Sequence, residues 1–181
     1  IYQTQWFDNK TTIFNRTSGQ LVKNIIVGDN PSHVMTRPNT DQLYVALNGE
    51  HGVLELSQRG ESLDRIIPMQ LPGQNLSHPH SHWLSHDGKF LITPNALSET
   101  STIYNLEGNE INGHVPIGHS PIATGMMPNS SKYYMTDFRD SRINVIDTNN
   151  GTVIKRISLI KDYDPISGEI RGPIGAFPIQ T

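Results

Sequence analysis

The chain is built on a repeat, and the repeat restricts the fold more than any single motif does. A proline opens a short segment that ends seven or eight residues later in a turn: Pro31 to Pro38-Asn39, Pro79 to His86-Asp87-Gly88, Pro121 to Pro128-Asn129. Each turn leads into a strand-like run, as in Leu43-Tyr44-Val45-Ala46-Leu47, Phe90-Leu91-Ile92-Thr93 and Tyr133-Tyr134-Met135-Thr136. A third run and another turn close each unit, most clearly in Ile143-Asn144-Val145-Ile146-Asp147-Thr148-Asn149-Asn150-Gly151. Several strands per period of roughly 40–50 residues signal an all-β fold of the β-propeller type, with four strands per blade. No such blade can bury both of its faces alone, so each needs neighbours.

The repeat sets a register. The proline-led segments 32–37, 80–85 and 122–127 are expected to be innermost strands, lining a central channel. The tyrosine- and phenylalanine-bearing runs are second strands. Residues 52–56, 101–106 and 142–147 are third strands, and 62–69, 110–117 and 152–160 are outer strands. Alternation of Ile143 and Val145 with Asn144 has the period of two of a half-buried strand. Residues 1–6 match a second strand, 11–15 a third and 20–27 an outer one. The chain therefore reads as one region, 1–181: a partial blade (1–27), blades at about 28–72, 73–117 and 118–172, and the start of a further blade (173–181). Such a chain covers about four blades. It belongs to a six- to eight-bladed propeller, or its last strand joins the first three to close a four-bladed ring.

Bulk properties exclude several classes. The net charge is −3 and the pI about 6.2, without the basic footprint of a nucleic-acid binder. No apolar run is long enough to span a membrane. Cysteine is absent, which removes disulfides, thiolate ligands and cysteine nucleophiles. There is no nucleophile elbow, phosphate loop, dinucleotide fingerprint or haem-attachment motif. The stretch 161–172 is an insertion, whose Asp162, Asp164 and Glu169 lack the fixed spacing of a calcium loop.

One place breaks the repeat: Ser77-His78-Pro79-His80-Ser81-His82-Trp83-Leu84-Ser85-His86, with four of the chain's eight histidines. In an extended segment, side chains two apart share a face, which groups His80 with His82 and puts His78 just before them. Leading into an innermost strand, the segment is expected at the mouth of the channel. Repeat alignment brings His119 close from the next blade and His33 from the previous one. His51, Asp137, Arg139 and Asp140 fall in loops on the same face. Three imidazoles with an open position describe a catalytic metal site, so His78, His80, His82 and His119 are candidate ligands for copper, zinc or haem iron. His33, His51, Asp137 and Arg139 are candidate contacts for a ligand or partner. His86 replaces a turn proline and reads as structural; His114, in an outer strand, reads as a surface residue.

The unit as a whole resembles the YVTN repeat family of β-propellers, which includes the YncE-like proteins. The resemblance is carried by Ile146-Asp147-Thr148-Asn149-Asn150-Gly151-Thr152-Val153, Ile26-Val27-Gly28-Asp29-Asn30-Pro31, Ile117-Gly118-His119-Ser120-Pro121, Ser85-His86-Asp87-Gly88-Lys89 and Leu43-Tyr44-Val45-Ala46-Leu47-Asn48. The family's Ser-Pro-Asp-Gly turn is intact nowhere in this chain. The resemblance implies a periplasmic or extracellular binding or scaffold module. Its contacts would be a protein partner or the remaining blades, made at the channel mouth. More distantly, the chain resembles the propeller domains of cytochrome cd1 nitrite reductases and nitrous oxide reductases. That implies the alternative of a metal- or haem-dependent oxidoreductase subunit using His78, His80 and His82. A hydrolase or lyase using the same histidines with a divalent ion is a third expectation.

Overall fold

The computed structural model describes residues 1–57, 59–74, 77–159 and 161–176. It is all-β apart from one turn of 3-10 helix. The first sheet has three strands, β1 (Tyr2–Gln5), β2 (Lys10–Phe14) and β3 (Leu21–Ile26). Three four-stranded antiparallel meanders follow. The second sheet holds β4 (Pro31–Thr36), β5 (Leu43–Leu47), β6 (Gly52–Ser57) and β7 (Ser62–Pro68). The third holds β8 (Trp83–Leu84), β9 (Phe90–Asn95), β10 (Thr100–Asn105) and β11 (Glu110–Pro116). The fourth holds β12 (Pro121–Met126), β13 (Lys132–Asp137), β14 (Arg142–Asp147) and β15 (Thr152–Ser158). A short hairpin, β16 (Asp162–Tyr163) with β17 (Ile170–Arg171), forms the insertion.

The sheets stack face to face in chain order, and three apolar layers show it. Ile25 and Val27 of the first sheet pack on Leu43, Val45, Leu47, Leu54 and Leu56 of the second. Tyr44, Val53, Ile67 and Met69 meet Leu84, Leu91, Tyr104 and Leu106. Ile92, Ile103, Val115 and Ile117 meet Met126, Tyr133, Met135 and Ile146. Leu43 and Tyr44, like Leu91 and Ile92, thus face opposite neighbours. A strand buried on both faces needs no polar alternation, which is why β5 is buried throughout. These are blade-like sheets packed in succession. No strand pairing joins the first sheet to the fourth among the described residues.

The register repeats as well. Pro31 pairs with Leu47, Pro79 with Asn95 and Pro121 with Asp137. The following turn ends in each sheet on a left-handed residue: Asn9, His51, Glu99 and Ser141, with φ between 52° and 58°. Their carbonyls accept the N–H of Val27, Met69, Ile117 and Leu159, which ties the outer strand back to the turn. The residues before the three prolines, Asn30, His78 and Ser120, are left-handed too.

Two expectations are corrected. The innermost strand of the third sheet does not run from His80 to Ser85; regular pairing is confined to β8. Four steps from Pro79 to Trp83 are matched by three from Asn95 to Ile92, so one residue bulges out. The neighbouring inner strands carry the same offset, between Pro31 and His33 and between Pro121 and Thr124. His114 is half-buried, not a free surface residue; its Nδ1 lies 3.0 Å from Thr102 Oγ1. The expected start of a further blade at 173–181 falls from residue 177 onward outside the described residues.

Candidate functional site

Three proline-led segments begin side by side, and their first residues form one face of the array. Hydroxyls staple them to one another. Thr4 donates to the Ser32 carbonyl (3.2 Å), Ser32 to the His80 carbonyl (2.6 Å) and Ser81 to the Ile122 carbonyl (3.1 Å). The bulges make this possible, because they turn one polar side chain per blade sideways onto the next backbone. Ser32, His33, His80, Ser81, Ile122 and Ala123, with Thr124 and Ile174, enclose a cleft of about 160 Å³.

The structure brings part of the histidine set together. His33 and His82 meet edge to face, with ring centroids 4.8 Å apart. His80 is half-buried, its ring 6.3 Å from that of Trp6. His78 faces Asn48, whose Nδ2 lies 3.2 Å from its Nδ1. The N–H of His78 donates to His51 Nδ1 at 3.3 Å. Asn9 plays the part of His51 one blade earlier, accepting from the N–H of Asn30. His51 and the backbone of His78 are therefore a blade-to-blade joint that the repeat uses twice.

His80 and His82 do not share an environment, because the bulge breaks the alternation between them. His82 is wholly buried, and neither ring nitrogen has a hydrogen-bond partner. The Tyr44 peptide pulls weakly on this ring without reaching hydrogen-bond geometry. His33 Nδ1 is likewise buried and unpartnered.

His119 stands apart from this group. It is exposed, with Nδ1 3.0 Å from Asp140 and Nε2 3.8 Å from Glu99. Asp137 is fully buried and ion-paired with Arg142 at 2.8 Å, so it offers no surface to a partner. Arg142 also bonds Asp140 and the Ile117 carbonyl. Arg139 is exposed. In the insertion, Asp164 Oδ1 accepts the N–H groups of Ile166 and Ser167, which commits that oxygen to the turn.

Burial dominates the electrostatics. It lowers the pKa of His82 far below the ordinary imidazole value, assisted by repulsion from His33. Burial also lowers His33, helped by His80, and His78, helped by His80 and His51. His80 is lowered by burial against a smaller opposing pull from the Ile122 backbone. These four rings are neutral at neutral pH. The hydrogen bond and charge of Asp140, then the charge of Glu99, raise His119 instead.

Neutral imidazole is the ligating form, yet the arrangement does not fit a metal or haem centre. Among the described residues, no three His, Asp or Glu side chains group as ligands. His82 is sealed from solvent, His78 Nδ1 faces Asn48, and His119 belongs to a carboxylate cluster. A catalytic metal needs three donors and an open position. The face can instead stack a ring against Trp6 and exchange hydrogen bonds through His80, Ser32 and Ser81. Sequence reasoning missed Trp6 and Asn48. Both occupy the position just after a second strand, so the repeat alignment contained the signal.

No protein-family model matches the sequence, and no curated protein matches it either. The structure is similar to a chain of hydrazine synthase from Kuenenia stuttgartiensis, at 14% sequence identity and a TM-score of 0.75. The similarity covers 91% of this chain and 49% of that one, so the chain spans about half the length of its structural relative. At this identity the likeness concerns the fold.

Proposed function

We propose that this chain is the propeller section of a subunit in an oxidoreductase assembly, holding a ligand at its axial face. The observation that carries the reading is the superposition of 91% of the chain on half of a hydrazine synthase chain. In this reading the chain supplies blades and a contact face, while redox chemistry resides elsewhere in the assembly. The unsuitable ligand geometry of the histidines supports that division. His33, His80, Ser32 and Trp6 make the contact, and Arg139 lies on the rim.

Further blades complete a six- to eight-bladed ring. Val22 and Ile26 of β3 are 61% and 67% exposed, and an adjoining blade is the natural cover for them. The reading carries with it a periplasmic or extracellular location. The second reading, a YVTN-type binding module with no redox partner, is favoured by the same absence of a three-ligand group among the described residues.

The test uses the full-length protein isolated from its native source with whatever co-purifies. Visible absorption and metal analysis are expected to reveal a redox-active group that persists when His80 is replaced by Ala. An assembly without any redox-active group would overturn the first reading and leave the second.

A further inference from the structure

The opposite end of the inner strands carries a second recess, and its chemistry differs from that of the histidine end. The recess starts two residues further along each inner segment than the histidine cleft, at Met35 after His33, Trp83 after Ser81 and Met126 after Thr124, which is about 7 Å of strand. Here the fourth to eighth residues after each proline converge from three blades. Met35, Thr36, Pro38 and Asn39 come from the second sheet, Trp83, Leu84, Ser85 and His86 from the third, and Met126, Met127 and Pro128 from the fourth. They line a cleft of about 500 Å³. That is within the roughly 300–1,000 Å³ of small-molecule sites. No Asp, Glu, Lys or Arg lines it.

The walls are polarisable: three thioethers, one indole and two proline rings. Thioethers and Trp favour flat aromatic surfaces through sulfur–ring and ring–ring contacts, and they adapt to shape. The polar groups lie to one side. Ser85, His86 and Met126 also border a neighbouring cleft of about 310 Å³, lined further by Phe90 and by the polar side chains of Asp87, Asn129, Ser130, Ser131, Thr148 and Asn149. An apolar slot thus opens directly into a hydroxyl- and amide-rich one. Position seven after the proline is Pro38 and Pro128 in two blades but His86 in the third, and His86 stands at the junction. Ser85 is held there by its bonds to Asp87 Oδ1 (2.6 Å) and to the Phe90 N–H (2.9 Å).

We infer that this recess is a binding site for a small planar aromatic molecule bearing an uncharged polar substituent. The ring lies between Trp83 and the thioethers of Met35, Met126 and Met127. The substituent passes His86 into the polar slot. The site is independent of the axial histidine face and of any redox role for the assembly.

Methionine-methyl NMR on the protein tests this without mutation. The chain has five methionines; Met69 and Met135 are wholly buried in the layers between sheets and do not line the recess. Phenyl β-glucoside is the probe and methyl β-glucoside the control. Saturable shifts of Met35, Met126 and Met127, with Met69 and Met135 unmoved, are the expected result, together with Trp fluorescence quenching. The control sugar is expected to bind at least tenfold more weakly. Met35→Glu and Met127→Glu should each weaken the aromatic probe at least tenfold, while His80→Ala, at the other end, leaves it unchanged. Equal shifts for both sugars, no saturable shift at the three methionines, or equal weakening by His80→Ala would each overturn the inference.

Discussion

His82 is the perturbation with the cleanest sign. Its ring is wholly buried, both nitrogens lack partners, and burial holds its pKa well below the ordinary imidazole value of about 6.5. Above pH ~6.5 the ring is neutral in the folded and the unfolded chain, and contributes no pH dependence. Below that, the unfolded chain takes up a proton that the folded chain refuses. Stability then falls with falling pH, until the depressed folded pKa is reached. The slope cannot exceed one proton's worth, so between pH 7.5 and 5.5 the loss from this one group is on the order of 1 kcal/mol. His33 adds to the loss with the same sign, because its pKa is lowered too. His119 acts in the opposite direction: its raised pKa makes its contribution present at low pH and lost as pH rises through that value. His82→Phe keeps a ring of similar size and removes both nitrogens. Urea unfolding at pH 7.5, 6.5 and 5.5 should show the variant losing less stability than the wild type across that range, by on the order of 1 kcal/mol. At pH 7.5 the variant should be as stable or more so, since two buried unpartnered polar atoms are gone. Parallel pH profiles for the two proteins would refute the reasoning.

Other substitutions probe the frame. Ser32→Ala removes the 2.6 Å bond to the His80 carbonyl and should cost about 1 kcal/mol in urea unfolding, with Ser81→Ala slightly milder. Arg142→Ala leaves Asp137 buried without its ion pair and should cost about 3–5 kcal/mol, read as a fall in melting temperature. Gly118→Ala should be destabilising by at least about 2 kcal/mol. Its φ is +145°, and a Cβ there would overlap Arg142 Nη2 and Asp137 Oδ2. Asn95→Ala strips a wholly buried amide that receives Thr93 and donates to Thr102 (2.8 Å) and Thr100. A loss of about 2–3 kcal/mol is expected by thermal unfolding.

The repeat made the sheets legible before any coordinates. Pro31, Pro79 and Pro121 marked the inner segments, and the reading of 1–27 as second, third and outer strands agrees with β1, β2 and β3. Strand order follows from local pattern because consecutive strands in a meander pair with their chain neighbours. The histidine stretch was located by the same logic, but its internal geometry was not. Alternation predicts a shared face for His80 and His82 only if the pairing is unbroken, and the bulge after Pro79 adds a residue that no sequence period announces.

Composition and periodicity thus determined the order of strands within each sheet and the end of the array to which each loop belongs. Those properties depend on backbone pairing and on which residues avoid water. Only the folded arrangement decided that His82 is sealed against His33 and that His80 meets Trp6. It likewise decided that methionines from two blades flank Trp83 of a third. These are meetings between residues up to ninety positions apart, set by how one sheet's bulge and twist seat it against the next. Such seating depends on side-chain volumes and hydrogen bonds summed over a whole interface, which no local stretch of sequence contains.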